Sequence, residues 1–376
     1  MKPSKDIILS LLKTIYLENG KNDIVSNKSI TNVIVFENEV IIDLEINNPT
    51  LQSKNKIKAS INDVLKSKFN QIDVKVNFKI TKTTSKTILN DSRVLENVQN
   101  IIAVSSGKGG VGKSTVTANL AISLQKMGFS VGVLDADIYG PSIPIMFDVV
   151  KERPLSTTID GRSKMKPVEN YGVKVLSIGF FTTPEQAVIW RGPMASKALN
   201  QLIFDAAWGD LDYMLIDLPP GTGDIHLSIM QSMPITGAVV VSTPQPVALA
   251  DARRGVAMFQ QENIQVPVLG VIENMSYFTP EELPENKYYI FGKEGAKNLS
   301  EDLNISFLGE IPLVQSIREA GDSGRPAALQ EETPLAKAFE KITKEVIKEL
   351  NNRNEILPPT EVIQMTNSVG CSSSKN

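Results

Sequence analysis

Nine residues with the spacing of a phosphate-binding loop are the clearest chemical feature of the sequence. Residues 107–115 read GKGGVGKST, which fits the pattern G-x-x-x-x-G-K-[ST]. An apolar run precedes the loop, and residues 116–128 follow with helical spacing. Glycines let backbone N–H groups converge on phosphates at a helix N-terminus. The sequence therefore predicts a nucleotide-binding loop formed by Gly107, Lys108, Gly109, Gly110, Val111, Gly112, Lys113, Ser114 and Thr115.

The two lysines of this loop are suited to different tasks. Lys113, at the end of the loop, is expected to reach the β- and γ-phosphates of the nucleotide. The hydroxyl of the next residue, Ser114, is expected to bind Mg²⁺. Lys108 lies on the outer rim, where its side chain can point away from its own nucleotide. Taken alone, Lys108 reads as a solvated surface charge.

Three aspartates follow apolar runs that are typical of buried strands. Asp135 and Asp137 belong to the run VLDAD, and Asp217 ends the run YMLID. Carboxylates at the carboxyl ends of parallel strands can hold Mg²⁺ beside a phosphate loop. We expect Asp217 to hold the metal with help from Asp135, and Asp137 to orient or deprotonate the attacking water. Capping of a following helix stays open as another role for any of the three.

A glycine-rich segment after Asp217 has the composition of a switch. Residues 221–224 read GTGD, and glycines there would allow the segment to move in response to a γ-phosphate. His226 follows directly and is the single histidine of the chain. A histidine without a catalytic partner in the sequence pattern is more often structural, so we assign it no catalytic role.

The composition excludes several classes of protein. The chain has 376 residues, 41% of them hydrophobic, and a formal net charge of −3. This balance does not indicate nucleic acid or an anionic membrane as a partner, and no apolar run is long enough to span a bilayer. The N-terminal residues read as an amphipathic helix and not as a signal peptide. We therefore expect a cytoplasmic protein.

The polar, weakly periodic stretch 82–97 predicts a linker between two domains. We expect a small α/β domain over residues 1–81, an ATPase domain over residues 98–352 and a disordered tail over residues 353–376. In the small domain, residue periodicity predicts helices over 5–16 and 52–69 and strands over 31–36, 39–46 and 72–80.

Short β-branched runs alternate with helical patterns from residue 101 onward. These runs are apolar at both odd and even positions, as in strands of a parallel sheet that is covered on both faces. The predicted fold class is therefore α/β, a P-loop NTPase with a mostly parallel sheet flanked by helices and preceded by the small α/β domain. The predicted strands cover residues 131–137, 173–180, 213–219, 237–243, 266–274 and 305–312.

Several longer motifs resemble those of one ATPase family. The string GKGGVGKST is similar to the deviant phosphate loop of dimeric ATPases that include the nitrogenase iron protein and the septum-site and plasmid-partition ATPases. Residues 95–350 resemble the Mrp/ApbC family, which carries iron–sulfur clusters to apo-proteins, and the first eighty residues resemble a small iron–sulfur assembly domain often fused ahead of it. The other motifs are LDADIYGPSIPIM, WRGPM, LIDLPPGTGD, TPQPVALADARRG, VIENMSYF, IFGKEGA and IPLVQSIREAGDSGRPA.

This resemblance implies a function, cofactors and partners. The protein would be an ATP-binding and ATP-hydrolysing carrier that uses Mg²⁺ and delivers iron–sulfur clusters to apo iron–sulfur client proteins. It would form a homodimer in which Lys108 crosses the interface to the nucleotide of the partner subunit. By the same resemblance, Asn274 would hydrogen-bond the adenine, and residues 311–318 would close over the base.

The chain departs from the family in its cysteines. Many members hold a cluster through a C-x-x-C pair after the ENMSYF motif, but residues 279–289 contain no cysteine here. Leu51 replaces the usual cysteine of the small domain. Cys371, the single cysteine, lies in a polar tail and reads either as a cluster ligand or as an incidental free thiol. A four-iron cluster typically has four thiolate ligands, and two copies of Cys371 supply two.

Two other functions fit parts of the sequence. A regulatory or partition-type dimeric ATPase that carries no cluster is the main alternative. Such proteins tend to have a basic amphipathic C-terminal helix or a basic face, whereas Pro358 and Pro359 interrupt a C-terminal segment that is not basic. An electron-transfer iron protein would need cysteines in the nucleotide-binding domain, which has none.

Overall fold

The computed structural model describes most of the chain and divides it into two compact units, residues 1–91 and 92–376. Each unit has its own sheet and hydrophobic core. Most of the predicted linker, and the predicted tail from residue 361 onward, lie outside the described residues. The described residues are 5–15, 23–26, 29–35, 39–46, 51–69, 72–80, 95, 97–159, 161–181, 192–262, 264–280, 282–283, 285–330 and 332–360.

The N-terminal unit has a three-stranded sheet and two helices among its described residues. Its strands lie in the order β1-β2-β3; β1 and β2 are antiparallel, and β2 and β3 are parallel. Leu12, Leu44, Ile61 and Leu65 are fully buried in its core. In chain order the elements are α1 Lys5–Leu12, β1 Ile30–Val35, β2 Glu39–Ile46, α2 Leu51–Lys68 and β3 Asp73–Ile80.

In the larger unit, eight described strands form one sheet in the order β13-β12-β11-β4-β10-β5-β9-β8. All neighbours are parallel except β8 and β9, and β6 and β7 form a separate antiparallel hairpin. The strands are β4 Val98–Ser105, β5 Val131–Asp135, β6 Leu155–Ile159, β7 Arg162–Lys166, β8 Val168–Asn170, β9 Val173–Ser177, β10 Leu211–Asp217, β11 Gly237–Ser242, β12 Val268–Glu273 and β13 Phe307–Glu310.

Helices cover both faces of this sheet. No helix among the described residues is long and apolar enough to cross a membrane. Short 3₁₀ segments lie at Ile178–Phe181 and Ala327–Leu329. The helices are α3 Lys113–Lys126, α4 Ile143–Met146, α5 Gly192–Phe204, α6 Asp224–Ser232, α7 Pro246–Phe259, α8 Gly295–Leu303, α9 Gln315–Asp322 and α10 Pro334–Ile356.

Alternate residues of the central strands pack into different hydrophobic clusters. In β4, Ile102 and Val104 belong to one cluster, whereas Ile101 and Ala103 belong to the other. A strand buried in this way must be apolar at both parities, which accounts for the unbroken apolar runs in the sequence. The α/β prediction with a mostly parallel sheet is confirmed.

The strand register places the predicted acidic residues beside the phosphate loop. Asp217, the last residue of β10, pairs with Asp135, the last residue of β5, and on the other side with Val104 of β4. The phosphate loop begins two residues after β4. The sheet itself therefore brings the loop and two of the three aspartates to one edge.

The final helix and the hairpin differ from the sequence prediction. Helix α10 runs to Ile356, beyond the predicted domain end at residue 352. Nothing in residues 353–356 interrupts a helix, and Pro358 disfavours helical backbone at Leu357, where the chain becomes extended. The prediction also did not include β6 and β7, because these short polar strands lack the apolar pattern of the buried sheet.

The start of the phosphate loop packs directly on the backbone of α7. A Cβ atom placed on Gly107 would lie 2.1 Å from the carbonyl carbon of Asp251 and 2.4 Å from the nitrogen of Ala252. Both contacts are to helical backbone, which cannot rotate aside. By contrast, a Cβ atom on Gly109 would meet nothing closer than Pro220 Cγ at 3.8 Å. Glycine at position 107 thus fixes how closely the loop approaches α7.

We expect Gly107→Ala to destabilise the protein by about 2–4 kcal/mol, because α7 or the loop must shift to accept the methyl group. Gly109→Ala is the matched control in the same loop and should change the free energy of unfolding by less than about 1 kcal/mol. Urea denaturation without nucleotide measures both. Equal unfolding midpoints for the two variants would contradict the packing argument.

Candidate functional site

The phosphate loop has the backbone of an anion-binding nest. It connects β4 to α3, which begins at Lys113. Gly110 and Gly112 have φ angles of +81° and +80°, in the left-handed region that favours glycine. Residues 108–110 are exposed, so their backbone is open to a ligand. The first turn of α3 adds N–H groups and the positive end of the helix dipole.

Lys113 is buried within a group of acidic side chains. Its Nζ atom lies 2.7 Å from Asp217 Oδ2 and 3.8 Å from Asp137 Oδ2. Lys113 is 6% exposed and Asp217 is fully buried. Removing either partner of such a buried ion pair would leave the other as an uncompensated charge, which is strongly destabilising. The structure thus brings together three residues that the sequence assigned to one site.

Two hydroxyl groups from α3 complete the surroundings of Asp217. Ser114 Oγ donates to Asp217 Oδ2 at 2.5 Å, and Thr117 Oγ1 donates to Asp217 Oδ1 at 2.7 Å. Both oxygens of the carboxylate therefore point at the N-terminal turns of α3. Sequence analysis did not identify Thr117, although it lies one turn after Lys113 on the same helix.

Asp135 organises the segment that follows β5. Its carboxylate accepts hydrogen bonds from Ser177 Oγ at 2.8 Å and from the backbone nitrogens of Asp137 and Ile143 at 3.2 and 3.3 Å. Burial, and after it the negative charge of Asp217, raise the pKa of Asp135 well above its usual range. These contacts favour a positioning role, and the metal role expected for Asp135 stays a prediction.

Ser177 links this segment to the end of β9. Its hydroxyl donates to Asp135 and accepts from the Gly179 nitrogen at 2.9 Å. Ser177 is completely buried. No local pattern identifies this residue, because Ser177 and Asp135 lie on two strands and are 42 positions apart in the chain.

Asp137 occupies the open side of the acidic group and is 9% exposed. Its Oδ1 atom accepts from the Gly140 nitrogen at 3.3 Å. Burial raises the pKa of the Asp137 carboxyl, and the nearby Lys113 opposes this effect. A carboxyl whose pKa is raised toward neutral pH is a better proton acceptor than an ordinary aspartate.

Hydrogen bonds hold the glycine-rich segment 221–224 to the start of the phosphate loop and to His226. The Gly221 nitrogen donates to Ser106 O at 2.9 Å, next to the start of the phosphate loop. His226 lies behind the segment: its Nε2 is 3.0 Å from Pro219 O, and its Nδ1 accepts from the Gly223 nitrogen at 3.2 Å. Burial lowers the pKa of His226. Both ring nitrogens thus serve the backbone of the segment, which is a structural role.

Lys108 points to a different surface from Lys113. It is exposed, and it forms no ion pair with the residues that the structure describes. Its carbonyl oxygen accepts from Ser106 Oγ at 3.0 Å, which holds the backbone while the side chain stays in solvent. Within one subunit, therefore, the two lysines of the loop do not share a task.

Asn274 lies against the phosphate loop. Its Nδ2 donates to Val111 O at 2.8 Å, and a Cβ atom on Gly112 would lie only 2.3 Å from the same nitrogen. Asn274 is buried. The structure therefore shows it supporting the loop, and the predicted contact with adenine stays a prediction.

Glu273, which sequence analysis missed, anchors the segment around Asn274. It is 1% exposed, and its carboxylate accepts from Ser276 Oγ at 2.5 Å and from the Ala296 nitrogen at 2.6 Å. Ala296 lies in the first turn of α8, where the helix dipole favours a negative charge. A glutamate that ends an apolar strand was the available signal.

The segment in which many family members carry cysteines has a different chemistry here. The backbones of Phe278 and Tyr288 form an antiparallel bridge that closes the segment. Lys287 Nζ lies 3.7 Å from the ring centroid of Tyr277 and 3.1 Å from Glu310 Oε1. Aromatic and charged side chains therefore surround this segment.

No group of three or more His, Cys, Asp or Glu side chains in the described part of the chain is placed to hold a metal ion by itself. Cys371, the predicted cluster ligand, lies outside the described residues. So do the first two residues of the WRGPM motif.

Two family models match the chain, and they match different regions. A model described as the NUBPL iron-transfer P-loop NTPase matches residues 97–347. A model described as an iron-sulfur cluster assembly protein matches residues 5–83. The two matches correspond to the ATPase-like and assembly-like parts of the predicted resemblance.

Individual relatives agree with these matches. The iron-sulfur cluster carrier protein of Synechocystis sp. is 40% identical over 91% of this chain and 96% of its own length. The iron-sulfur cluster transfer protein NUBPL of Dictyostelium discoideum is 49% identical over 68% of this chain and 78% of its own. A solved structure of a nucleotide-binding protein from Archaeoglobus fulgidus, in complex with ADP, is 39% identical and covers 65% of this chain and 93% of its own, with a TM-score of 0.55.

These similarities do not favour the partition-type alternative, since the family model that matches is that of the iron-transfer enzymes. They confirm the resemblance predicted from the motifs. The phosphate loop and its acidic partners lie inside the matched region, at one edge of the parallel sheet. The chain belongs to the family of NUBPL iron-transfer P-loop NTPases and has an iron–sulfur cluster assembly domain ahead of the NTPase domain.

Proposed function

We propose that this protein is an ATP-hydrolysing carrier that transfers iron–sulfur clusters to apo-proteins. The observation that carries the proposal is the buried lysine of the phosphate loop, held 2.7 Å from the carboxylate of Asp217 in a domain of the iron-transfer family. Relatives that are 40–49% identical bear the names of cluster carrier and cluster transfer proteins. The nucleotide site is inferred from the residues of this chain, and the cargo is inferred from its relatives.

ATP would bind across the phosphate loop. The backbone N–H groups of residues 108–112 and the N-terminus of α3 would contact the phosphates, and Lys113 would turn from the aspartates to the β- and γ-phosphates. Asn274, 2.8 Å from Val111 O, lies close enough to the loop to take part in nucleotide recognition. The proposed adenine contact requires that its amide nitrogen leave this bond or that its amide oxygen make the contact.

The residues of the site fit a divalent cation. The buried Lys113 ammonium contacts the carboxylates of Asp137 and Asp217, and Asp135 is buried beside Asp217 at the end of the neighbouring strand. An excess of negative charge in a poorly hydrated site is costly unless a proton or a cation offsets it. We propose that Ser114 and Asp217 hold Mg²⁺, with Asp135 supporting them. Bound there, the ion would neutralise part of the phosphate charge.

Asp137 is the proposed group that orients or deprotonates the attacking water. It is the most exposed of the three aspartates, and burial raises its pKa toward the pH at which a general base works. Lys113, 3.8 Å away, partly opposes this rise in pKa and so favours the ionised carboxylate that accepts a proton. Phosphoryl transfer needs mostly positioning and charge stabilisation from the protein, and these residues supply both.

A homodimer would complete the site. Lys108 is exposed on the rim of the loop and has no ion-pair partner in the described part of its own subunit. We propose that it contacts the nucleotide of a second subunit, where a lysine would stabilise the charge that develops on the transferred phosphoryl group.

An iron–sulfur cluster would be the cargo of the protein. Cys371 is the one thiol of the chain, and two subunits would supply two thiolates to an iron–sulfur cluster. Such a cluster would be short of protein thiolates and would need small thiols or other ligands. An incompletely held cluster is suited to transfer to an apo-protein, because its exposed positions are open to the acceptor's cysteines.

Lys113→Ala should reduce ATP hydrolysis at least about 100-fold, since it removes the charge that anchors the β- and γ-phosphates. The measurement is phosphate release under saturating ATP. Lys126→Ala, at the other end of α3, is the matched control and should hydrolyse ATP at the parent rate. Parent activity in Lys113→Ala would refute the phosphate-loop assignment.

Lys108→Ala should lose hydrolysis but still bind nucleotide, because its side chain would act on the other subunit. Mixing it with Asp137→Asn, which is inactive for a different reason, tests this. In a mixed dimer one site keeps its own Asp137 and receives an intact Lys108, so part of the activity should return. If mixed dimers form, as shown by two affinity tags, and no activity returns, Lys108 does not act across the interface.

Cys371→Ser should abolish anaerobic cluster reconstitution, measured as iron and sulfide per chain and by visible absorption. ATP hydrolysis should stay near the parent value, because the tail is remote in sequence from every nucleotide motif. Equal iron and sulfide in parent and variant would show that Cys371 is not the ligand. If neither protein binds iron, the chain is an ATPase of this family without a cluster site.

A further inference from the structure

The β6–β7 hairpin is attached to the domain along one side. Its strands form a two-stranded sheet that is separate from the central sheet. The Met165 nitrogen of β7 donates to Asp205 O at 2.6 Å, and the Ala207 nitrogen donates to Met165 O at 2.7 Å. Strand β6 pairs with β7 and with no other strand among the described residues. The outer edge of β6 therefore has backbone groups without a strand partner.

This edge lacks the features that normally prevent strand pairing. Proteins usually protect exposed edges with charged residues or proline. The β6 sequence LSTTI has neither, and it contains three β-branched residues. Leu155 and Ile159 are 69% and 44% exposed. An uncharged, exposed strand of this kind is suited to accept an added strand.

The register places a row of basic residues next to this edge. Arg162, Lys164 and Lys166 alternate along β7 and lie opposite the residues of β6 on the same face of the hairpin. Lys164 Nζ donates to Phe204 O at 2.5 Å, which ties that side chain to the body of the domain. Arg162 and Lys166 are exposed and form no ion pair with any residue in the described part of the chain. The opposing residues of β6 are Ile159, Thr157 and Leu155.

The hairpin also differs in charge from the rest of the protein. Residues 151–166 contain five basic and two acidic residues, a net charge of +3 in a chain whose net charge is −3. None of these residues takes part in the nucleotide site. A positive patch on a negatively charged protein attracts an acidic partner and repels a second copy of the same surface.

We propose that the hairpin binds an extended acidic segment of a partner protein, which adds as a strand to the outer edge of β6. The two-residue loop is closed by the hydrogen-bonded pair Ile159–Arg162. From there, hydrogen-bonded pairs alternate with pairs whose backbone groups point away from the partner strand, and Ser156 and Thr158 belong to the second kind. Ser156 and Thr158 therefore present their N–H and C=O groups to the added strand. Carboxylates of the segment would meet Arg162 and Lys166, and its apolar side chains would cover Leu155 and Ile159.

A polypeptide fits this surface better than a membrane or a nucleic acid. Positive charge alone would attract an anionic membrane or a nucleic acid. The open backbone edge of the uncharged strand β6, however, can pair only with an extended polypeptide. The inference does not depend on the cargo or on nucleotide hydrolysis. The peptide-binding test can therefore fail while the proposed function holds, and the proposed function can fail while the peptide binds.

The first measurement uses a fluorescein-labelled peptide with the repeat Glu-Thr-Val-Thr, which places glutamate and valine in turn on one face of a strand. It is titrated with the full chain and followed by fluorescence anisotropy. We expect saturable binding that weakens as salt rises, because exposed charges are screened. A control peptide with the repeat Lys-Thr-Val-Thr should not bind. Hydrogen exchange at the Ser156 and Thr158 amides should slow when the acidic peptide is present.

Two variants probe the two parts of the surface. Arg162→Glu/Lys166→Glu should weaken peptide binding by at least about tenfold through charge reversal. Thr158→Pro removes an outward N–H without removing a hydrogen bond to β7, and it should weaken binding to a similar extent. Lys341→Glu/Lys348→Glu, on the exposed side of α10, changes the net charge equally and should bind like the parent. ATP hydrolysis in every variant checks that the domain is folded.

Absence of binding by the parent chain overturns the proposal, and so does parent-like affinity in the charge-reversal variant. Vesicles of phosphatidylserine and phosphatidylcholine, and a single-stranded oligonucleotide, are the competing probes. If either binds more tightly than the peptide and loses affinity in the charge-reversal variant, the hairpin is a membrane or nucleic-acid surface instead. If Thr158→Pro binds normally while charge reversal abolishes binding, strand addition is wrong.

Discussion

The buried contact between Lys113 and Asp217 sets the constraint that the rest of the nucleotide site must satisfy. One ammonium group lies among three buried carboxylates, so the protein on its own leaves a surplus of negative charge where water is scarce. Protons, a cation or a rearranged lysine can offset that surplus. Burial, and after it the charge of Asp217, raise the pKa of Asp135 and so favour its protonated form. Any change of charge within the site therefore has a large electrostatic effect on the other charged groups.

The fold meets the constraint by making the carboxylates immobile. The register of β5 and β10 fixes Asp135 beside Asp217, hydroxyl groups of α3 hold Asp217, and Ser177 holds Asp135. Gly107, packed on the backbone of α7, sets the position at which the phosphate loop leaves β4. Because these anchors belong to buried strands and helices, Lys113 and the exposed loop residues are left as the parts that can change partner.

Sequence reasoning is most informative where a fold or a site requires a local pattern. The phosphate loop is contiguous, and Asp217 follows an apolar run that had to be a buried strand, so the main groups of the site and the α/β fold could be predicted. Ser177 could not, because its role comes from a contact with a residue 42 positions away. Glu273 ends an apolar strand, but its contact with the Ala296 nitrogen of α8 has no local pattern that reveals it. The β6–β7 hairpin was not predicted because an exposed ribbon has no apolar periodicity. The end of α10 was placed too early because no residue before Pro358 marks where the helix stops.

The charge surplus also links nucleotide binding to the proposed dimer. Phosphates add negative charge to a site that already has too much, while Lys108 stands exposed and without an ion-pair partner in the described part of its subunit. A lysine from a second subunit is therefore attracted most strongly after ATP has bound. By linkage, if nucleotide tightens the dimer by some factor, dimer formation must tighten nucleotide binding by the same factor. Hydrolysis and phosphate release would remove the attracting charge, so the electrostatic imbalance that would hold two subunits together with ATP would let them separate afterwards.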